Sequence, residues 1–275
     1  MMSRETSALV EPVIQAWWSG LPEQFYLEGT GSKAHFLGKS EAAKVRLPEL
    51  PAVFEHEPDD QVAVVYAGAT IADVQRELAK RGQGLPIPST GSAIVDGFGG
   101  TVGGMLAMSL PNGLTSVVGP PRNWVLGLLT ILHDGTLARS GSRAVKSVAG
   151  YDVHKLYLGS RGTLGPIVAA AVRVYPLPLP EPTTTIHREW TGGDVWIQKV
   201  LKVDFESALA DSVDPYLSDR ETHTIWHSQK PERRHHDWII CPGGEFASDG
   251  APRALIDRAK IQFDPQGRFN PGIAI

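Results

Sequence analysis

Three glycine-dense segments, at residues 29–33, 97–104 and 159–165, interrupt an otherwise ordinary succession of helix-like and strand-like sequence. Glycine tolerates positive φ and lets another group come close to the backbone. Successive N–H groups in such loops can converge on an anion, and a following helix N-terminus adds its dipole. Gly29, Thr30, Gly31, Ser32 and Lys33 combine bare backbone with two hydroxyls and an ammonium group. Gly99, Gly100, Thr101, Val102, Gly103 and Gly104 stand directly before an apolar stretch, Met105–Leu110, that reads as a helix. Together these residues suit a diphosphate. Any one loop alone reads more readily as a tight turn. Neither common nucleotide motif is present: there is no GxxxxGK[ST], and no GxGxxG lies between an early strand and helix with an acidic residue about 20 positions on.

Around the loops the periodicities alternate. Val10, Val13, Ile14, Trp17 and Trp18 have helical spacing, ended by Gly20 and Pro22. Phe25–Leu27 reads as a short strand and residues 60–66 as a buried β-branched one. Thr70 is a candidate cap for a helix whose apolar face is Ile71, Val74 and Leu78, closed by Gly82. Residues 124–132 and 136–139 flank Asp134-Gly135, a strong hairpin signal. Asp152 is expected to cap a short helix reaching about Leu158, and a further strand covers 166–175. Pro176, Pro178, Pro180 and Pro182 favour an extended, stiff connector. Residues 252–262 read as a closing helix.

The order of the glycine segments carries more than any one of them. After the first two comes Lys146-Ser147-Val148-Ala149-Gly150-Tyr151-Asp152, then Lys155-Leu156-Tyr157-Leu158-Gly159-Ser160-Arg161-Gly162-Thr163-Leu164-Gly165-Pro166-Ile167. From about Tyr26 to Pro176 the chain resembles the FAD-binding family of vanillyl-alcohol oxidase and p-cresol methylhydroxylase. Within that family it is most similar to FAD-binding subunits of bacterial glycolate oxidase. Phe263-Asp264-Pro265 and Phe269-Asn270-Pro271-Gly272 look like the family's closing motif. The resemblance implies an α+β fold with FAD extended between two subdomains of a domain of the p-cresol methylhydroxylase (PCMH) type. It divides the chain into a helical lead-in (1–24), the FAD-binding domain (25–178, subdomains about 25–84 and 85–178), a reduced cap (179–251), and a helix and tail returning to the FAD domain (252–275). It makes 29–33 the pyrophosphate loop. Thr101–Gly104 and Gly159, Gly162, Thr163, Gly165 and Ile167 become further cofactor contacts, and Gly150, Tyr151 and Asp152 fall near the flavin. Some relatives hold FAD covalently through a histidine of the first loop. Here Ser32 and Lys33 stand there and His35 follows two residues later, so non-covalent FAD is expected.

The expected activity is that of an oxidoreductase subunit in a glycolate-oxidase-like complex. It would take electrons from a small 2-hydroxy acid or a partner flavin subunit and pass them to an iron–sulfur subunit. The single cysteine, Cys241, excludes a cluster ligated by this chain alone. The alternative is a non-catalytic scaffold with structural or absent flavin. Arg122, Arg143 and Lys146 are candidates for holding a carboxylate, since arginine does so in bidentate fashion; ordinary surface charge is the competing reading. The span between Pro182 and Pro252 is short for a cap. In it, His223 and His227 form a possible metal pair on a helix, or share a face of a strand; hydrogen-bonded histidines are the favoured reading, and no metal is expected. Trp190, Trp196, Trp226 and Trp238 suggest core or a subunit interface.

Composition excludes other classes. A net charge of −4 argues against nucleic-acid binding through phosphate neutralisation. The first residues lack the basic and apolar blocks of a signal peptide, and no window has the length of a membrane helix, which predicts a cytoplasmic protein without direct membrane insertion.

Overall fold

A computed structural model describes residues 2–87, 100–142, 152–189, 194–234, 237–242, 246–247 and 253–273; of His35, Trp238, Phe246, Ala247 and Arg253 it describes the backbone. Helix α1 (Arg4–Ser19) is entered through Ser3, whose hydroxyl accepts the Thr6 amide at 3.1 Å. It starts earlier than the apolar spacing indicates because its first turn is polar. Strand β1 (Phe25–Leu27) pairs in parallel with β2 (Ala43–Val45), and a 3-10 turn covers Ala34–Phe36 between them. Then come β3 (Val53–Glu57), β4 (Val62–Tyr66), α2 (Ile71–Ala79) and β5 (Gln83–Gly84). Helix α2 begins where its sequence says it should: Thr70 Oγ1 accepts the Asp73 amide at 3.1 Å, and Ile71, Val74 and Leu78 are buried.

The described chain continues with α3 (Val102–Met108), α4 (Thr115–Val118), α5 (Pro121–Trp124), β6 (Val125–Ile131) and β7 (Leu137–Gly141). Helix α3 starts three residues before Met105 because the Thr101 hydroxyl accepts the Gly104 amide, and it stops at Ser109, which is left-handed (φ 48°). Next are α6 (His154–Tyr157), β8 (Ile167–Arg173) and β9 (Tyr175–Pro176). Asp152 does not cap α6; its carboxylate instead accepts the Lys155 ammonium at 2.5 Å. Among the prolines of the expected connector, Pro176 is in β9, which pairs with β5.

One antiparallel sheet, ordered β3-β4-β8-β6-β7, organises this region. Its two faces bury different sets. Ala63, Val65, Leu128, Ala170 and Val172 pack with α2 and α3, whereas Val64, Tyr66, Leu129, Ala169 and Ala171 pack with Val10 and Ile14 of α1. Alternate residues of a strand point to opposite faces, so a strand covered on both sides must be apolar throughout, as β4 is. The sheet takes strands from both sides of residue 84. Strands β3 and β4 belong with β6–β8, because the fully buried β4 needs a neighbour on each edge and a layer on each face.

Past Thr183 lies a second antiparallel sheet, β10-β12-β13-β11-β14-β15, built from Thr184–Ile186, Leu217–Asp219, Thr224–His227, Trp196–Lys199, Trp238–Ile240 and Phe246–Ala247. One face carries Ile197, Leu217, Trp226 and Ile240, packed on Phe36 and on Met108 of α3. The other places Ile225 against Phe205 and Ala208 of α7 (Phe205–Ala210). Trp226 is thus core. His227 lies in β13, but His223 lies in the turn before it at φ 53°, its ring against Phe205, so the two share neither a helix nor a strand face. His235, His236 and Trp190 lie outside the described residues.

The chain closes through α8 (Arg253–Phe263). Lys260 donates to the Thr163 carbonyl at 2.6 Å, to the Phe269 carbonyl at 3.1 Å and to the buried Asp264 carboxylate. Asp264 in turn accepts the Arg268 and Phe269 amides at 2.8 and 3.0 Å. Phe269 forms a parallel bridge to Phe25. Among the described residues, no helix is long and apolar enough to cross a membrane.

Candidate functional site

A cleft of about 490 Å³ opens where four stretches meet: the loop after β1, the turn from β4 into α2, the first turns of α3, and residues 161–167 leading into β8. That volume is within the range of small-molecule sites. Its walls include Gly29, Thr30, Gly31, Ser32, Lys33, Ala67, Gly68, Thr70, Thr101, Gly103, Gly104, Arg161, Gly162, Gly165, Ile167 and Asn270, with Arg46–Glu49 at one side.

The loops pack closely enough to require their glycines. A Cβ on Gly29 would run into the Thr101 side chain, and one on Gly103 would sit 3.0 Å from the Ala67 carbonyl. Gly165, at φ 134°, would place its Cβ 2.5 Å from the Ile131 carbonyl. Gly68 lies against the Tyr66 ring, and the Tyr66 hydroxyl donates to the Pro48 carbonyl, tying strand β4 to the rim. Burial raises the Tyr66 phenol well above its ordinary value.

Among the described residues, the amides of the three segments are used differently. The Val102 and Gly103 amides bond to the Ala69 and Ala67 carbonyls at 2.9 and 2.8 Å, and the Gly104 amide to Thr101 Oγ1 at 3.1 Å. Likewise the Gly159, Arg161 and Thr163 amides bond to Leu106, Ala107 and Ser160 carbonyls. By contrast, the amides of Gly29, Gly31, Ser32 and Lys33 have no acceptor among the described residues. The described amides of Val102, Gly103 and Gly104 therefore anchor α3 to the turn after β4, and these residues supply wall and spacing.

Charge is also sorted. Glu28 is held by Lys44 at 2.7 Å and by Arg46 at 3.5 Å, and Lys44 above all keeps its carboxyl below the ordinary range. Tyr26, buried beside Glu28, has its phenol raised. Lys33 is partly buried, its one hydrogen bond a long one to Ser32 Oγ at 3.5 Å, and desolvation pulls its ammonium down to about 8. Arg161, also lining the cleft, is 7% exposed and left-handed (φ 55°), fixed by its amide on the Ala107 carbonyl and its carbonyl on Asn270 Nδ2 at 2.8 Å. Burial lowers its guanidinium below the usual value, partly offset by Cys241. Asn270 also accepts the Leu27 amide at 2.8 Å, so one side chain joins the tail, β1 and the 161–167 stretch.

The residues singled out in the sequence fall in three groups. Gly29–Lys33, Thr101, Gly103, Gly104, Gly162, Gly165 and Ile167 meet at the cleft. Gly100, Val102, Gly159 and Thr163 stand behind it as packing or turns, and Asp152 and Arg122 are exposed away from it. Gly99, Arg143, Lys146, Gly150 and Tyr151 lie outside the described residues. Arg161 and Asn270 are the residues that sequence reasoning passed over. Both are inside quoted motifs, yet nothing in a single sequence marks a non-glycine residue at positive φ.

Residues 9–141 match the model of a family described as FAD binding domain. Glycolate oxidase subunit GlcE of Escherichia coli (strain K12) is 31% identical over 189 residues, covering 67% of this chain and 50% of that protein. D-lactate dehydrogenase of Archaeoglobus fulgidus is 33% identical over 122 residues, 44% of this chain and 26% of the relative. Glycolate oxidase subunit GlcD of Bacillus subtilis (strain 168) is 31% identical over 130 residues, 46% of this chain and 26% of the relative. The chain thus spans half or less of the length of these relatives. Among solved structures, an alkyldihydroxyacetonephosphate synthase aligns with a TM-score of 0.48 and 18% identity over 74% of this chain and 34% of that one. The matched residues include glycine-lined loops of the cleft, and the chain is an FAD-binding oxidoreductase related to glycolate oxidase subunits and D-lactate dehydrogenases.

Proposed function

We propose that the chain is the FAD-holding subunit of a 2-hydroxy-acid dehydrogenase complex of the glycolate oxidase kind, with the cofactor bound non-covalently. The observation that carries this reading is the run of unpartnered amides at Gly29, Gly31, Ser32 and Lys33 in a cleft whose other walls a Cβ would fill. Such a nest of N–H groups matches the charge and shape of a diphosphate. In the proposed complex the flavin, when bound, accepts two electrons from the substrate, and the protein supplies binding, orientation and electrostatics.

The chain's own residues divide that work. The 29–33 loop and Lys33 bind the diphosphate. Gly103, Gly104, Gly162 and Gly165 let an extended cofactor lie against backbone. Arg161, a buried cation in the same cleft, balances negative charge on cofactor or substrate. Met108 and Leu37 line the side nearest the second sheet and exclude water there. The relatives' names support a multi-subunit assembly, and the lone cysteine requires that any iron–sulfur cluster reside largely on another polypeptide.

The test is the visible spectrum of the purified chain, before and after denaturation, followed by anaerobic addition of glycolate or D-lactate with and without co-purified subunits. Flavin released on denaturation and bleached by a 2-hydroxy acid in the complex is the expected result. A chain that neither holds nor takes up FAD would instead be the scaffold of such an assembly.

A further inference from the structure

One ionisable group of the cleft stands apart from the others. Lys33 lines the cleft beside the free amides, is partly withdrawn from water, and forms no ion pair among the described residues. The other ionisable groups of the same cleft are accounted for. Glu28 is neutralised by Lys44 and Arg46, Glu49 is exposed, and Tyr26 and Arg161 are buried. An ammonium group in such a place has lost hydration without gaining a counter-charge.

We propose that Lys33 couples cofactor binding to a proton: the empty cleft holds its side chain partly as the neutral amine, and a bound diphosphate holds it as ammonium, so that binding takes up a proton. The proposal rests on the reading of the cleft as a diphosphate site. Desolvation alone draws Lys33 to about 8 in the empty cleft, whereas a diphosphate restores a value at or above the ordinary one for lysine. The sign follows from linkage. A group whose pKa is higher in the bound state favours binding fully below the empty-state value. That advantage is lost as pH rises through the empty-state value towards the bound one.

The experiment is titration calorimetry of the apo chain with FAD, whose diphosphate is a diester and does not itself titrate near neutrality. It is run in two phosphate-free buffers of different ionisation heat, with Kd read in parallel by flavin fluorescence. The expected result is uptake of about half a proton at pH 8 and almost none at pH 6.5, with Kd rising about tenfold between pH 7 and pH 9. Lys33→Arg, which stays charged, should bind with no uptake and a flat profile. Lys33→Met should bind more weakly at pH 7, again with a flat profile. Uptake that persists in either variant assigns the proton elsewhere and overturns the proposal, as does tight binding by the native chain without uptake. Failure of FAD to bind at any pH overturns the cleft reading itself.

Discussion

Thr101 serves two neighbours through its side chain and a third through its backbone. Its hydroxyl caps α3, its methyl and hydroxyl leave room at position 29 for a hydrogen atom alone, and its own residue forms the bridge to Thr70. Thr101→Ala should cost about 1 kcal/mol as a lost cap. Gly29→Ala should cost about 1–3 kcal/mol by overpacking and weaken FAD binding at least tenfold, because the loop must retreat. The two changes should couple. In the Thr101→Ala background, Gly29→Ala should be less costly by about 1 kcal/mol, since the colliding atoms are gone. Denaturant midpoints of the four proteins give the cycle, and full additivity would contradict the packing described. Legibility at this scale was uneven. The residues that meet at the cleft are mostly glycines and hydroxyls already singled out in their motifs. Which amides remain free was invisible, since that depends on Ala67 and Ala69, two unremarkable alanines after β4.

Two elements carry charge that their burial makes consequential. His227 in β13 is 3% exposed with no partner for Nε2 among the described residues, and desolvation draws it down to about 4. A histidine whose folded value is depressed stabilises the fold fully above its unfolded value of about 6.5 and loses that contribution as pH falls towards the folded one. Stability should drop by about 3 kcal/mol between pH 6.5 and pH 4 on this account, and His227→Leu should flatten that part of the profile in urea unfolding. In the closing tail, Lys260→Met would remove the donor to two carbonyls and leave Asp264 buried without its cation. A loss on the order of 3 kcal/mol is expected, read as a lower thermal midpoint. A loss below 1 kcal/mol would show that the amides of Arg268 and Phe269 suffice for Asp264. The long apolar strands and capped helices were readable because their periodicity and caps are local. Strands β2 and β3 were missed: their half-exposed residues carry no alternation, and only pairing with β1 and β4 makes them strands.

At the scale of the whole molecule, the cleft joins segments far apart in sequence, so a ligand filling it should fasten them together. Saturating FAD at about a hundred times Kd should add about 2.7 kcal/mol, raising the thermal midpoint by roughly 5–10 °C, and trypsin should cleave the apo chain faster than the loaded one. An unchanged midpoint would mean that the cofactor touches one segment alone. The sheet order β3-β4-β8-β6-β7 was not legible in advance because β8 inserts between strands that precede it, a choice set by burial of β4 on both edges. Asn270 gives this arrangement a temporal side. The side chain that ties β1 to the 161–167 stretch follows every other lining residue of the cleft in sequence, so a growing chain makes the loop and the five-stranded sheet before it has the clasp. On the proposed reading, flavin capture waits for that clasp, so a chain interrupted before Asp264 should stay colourless.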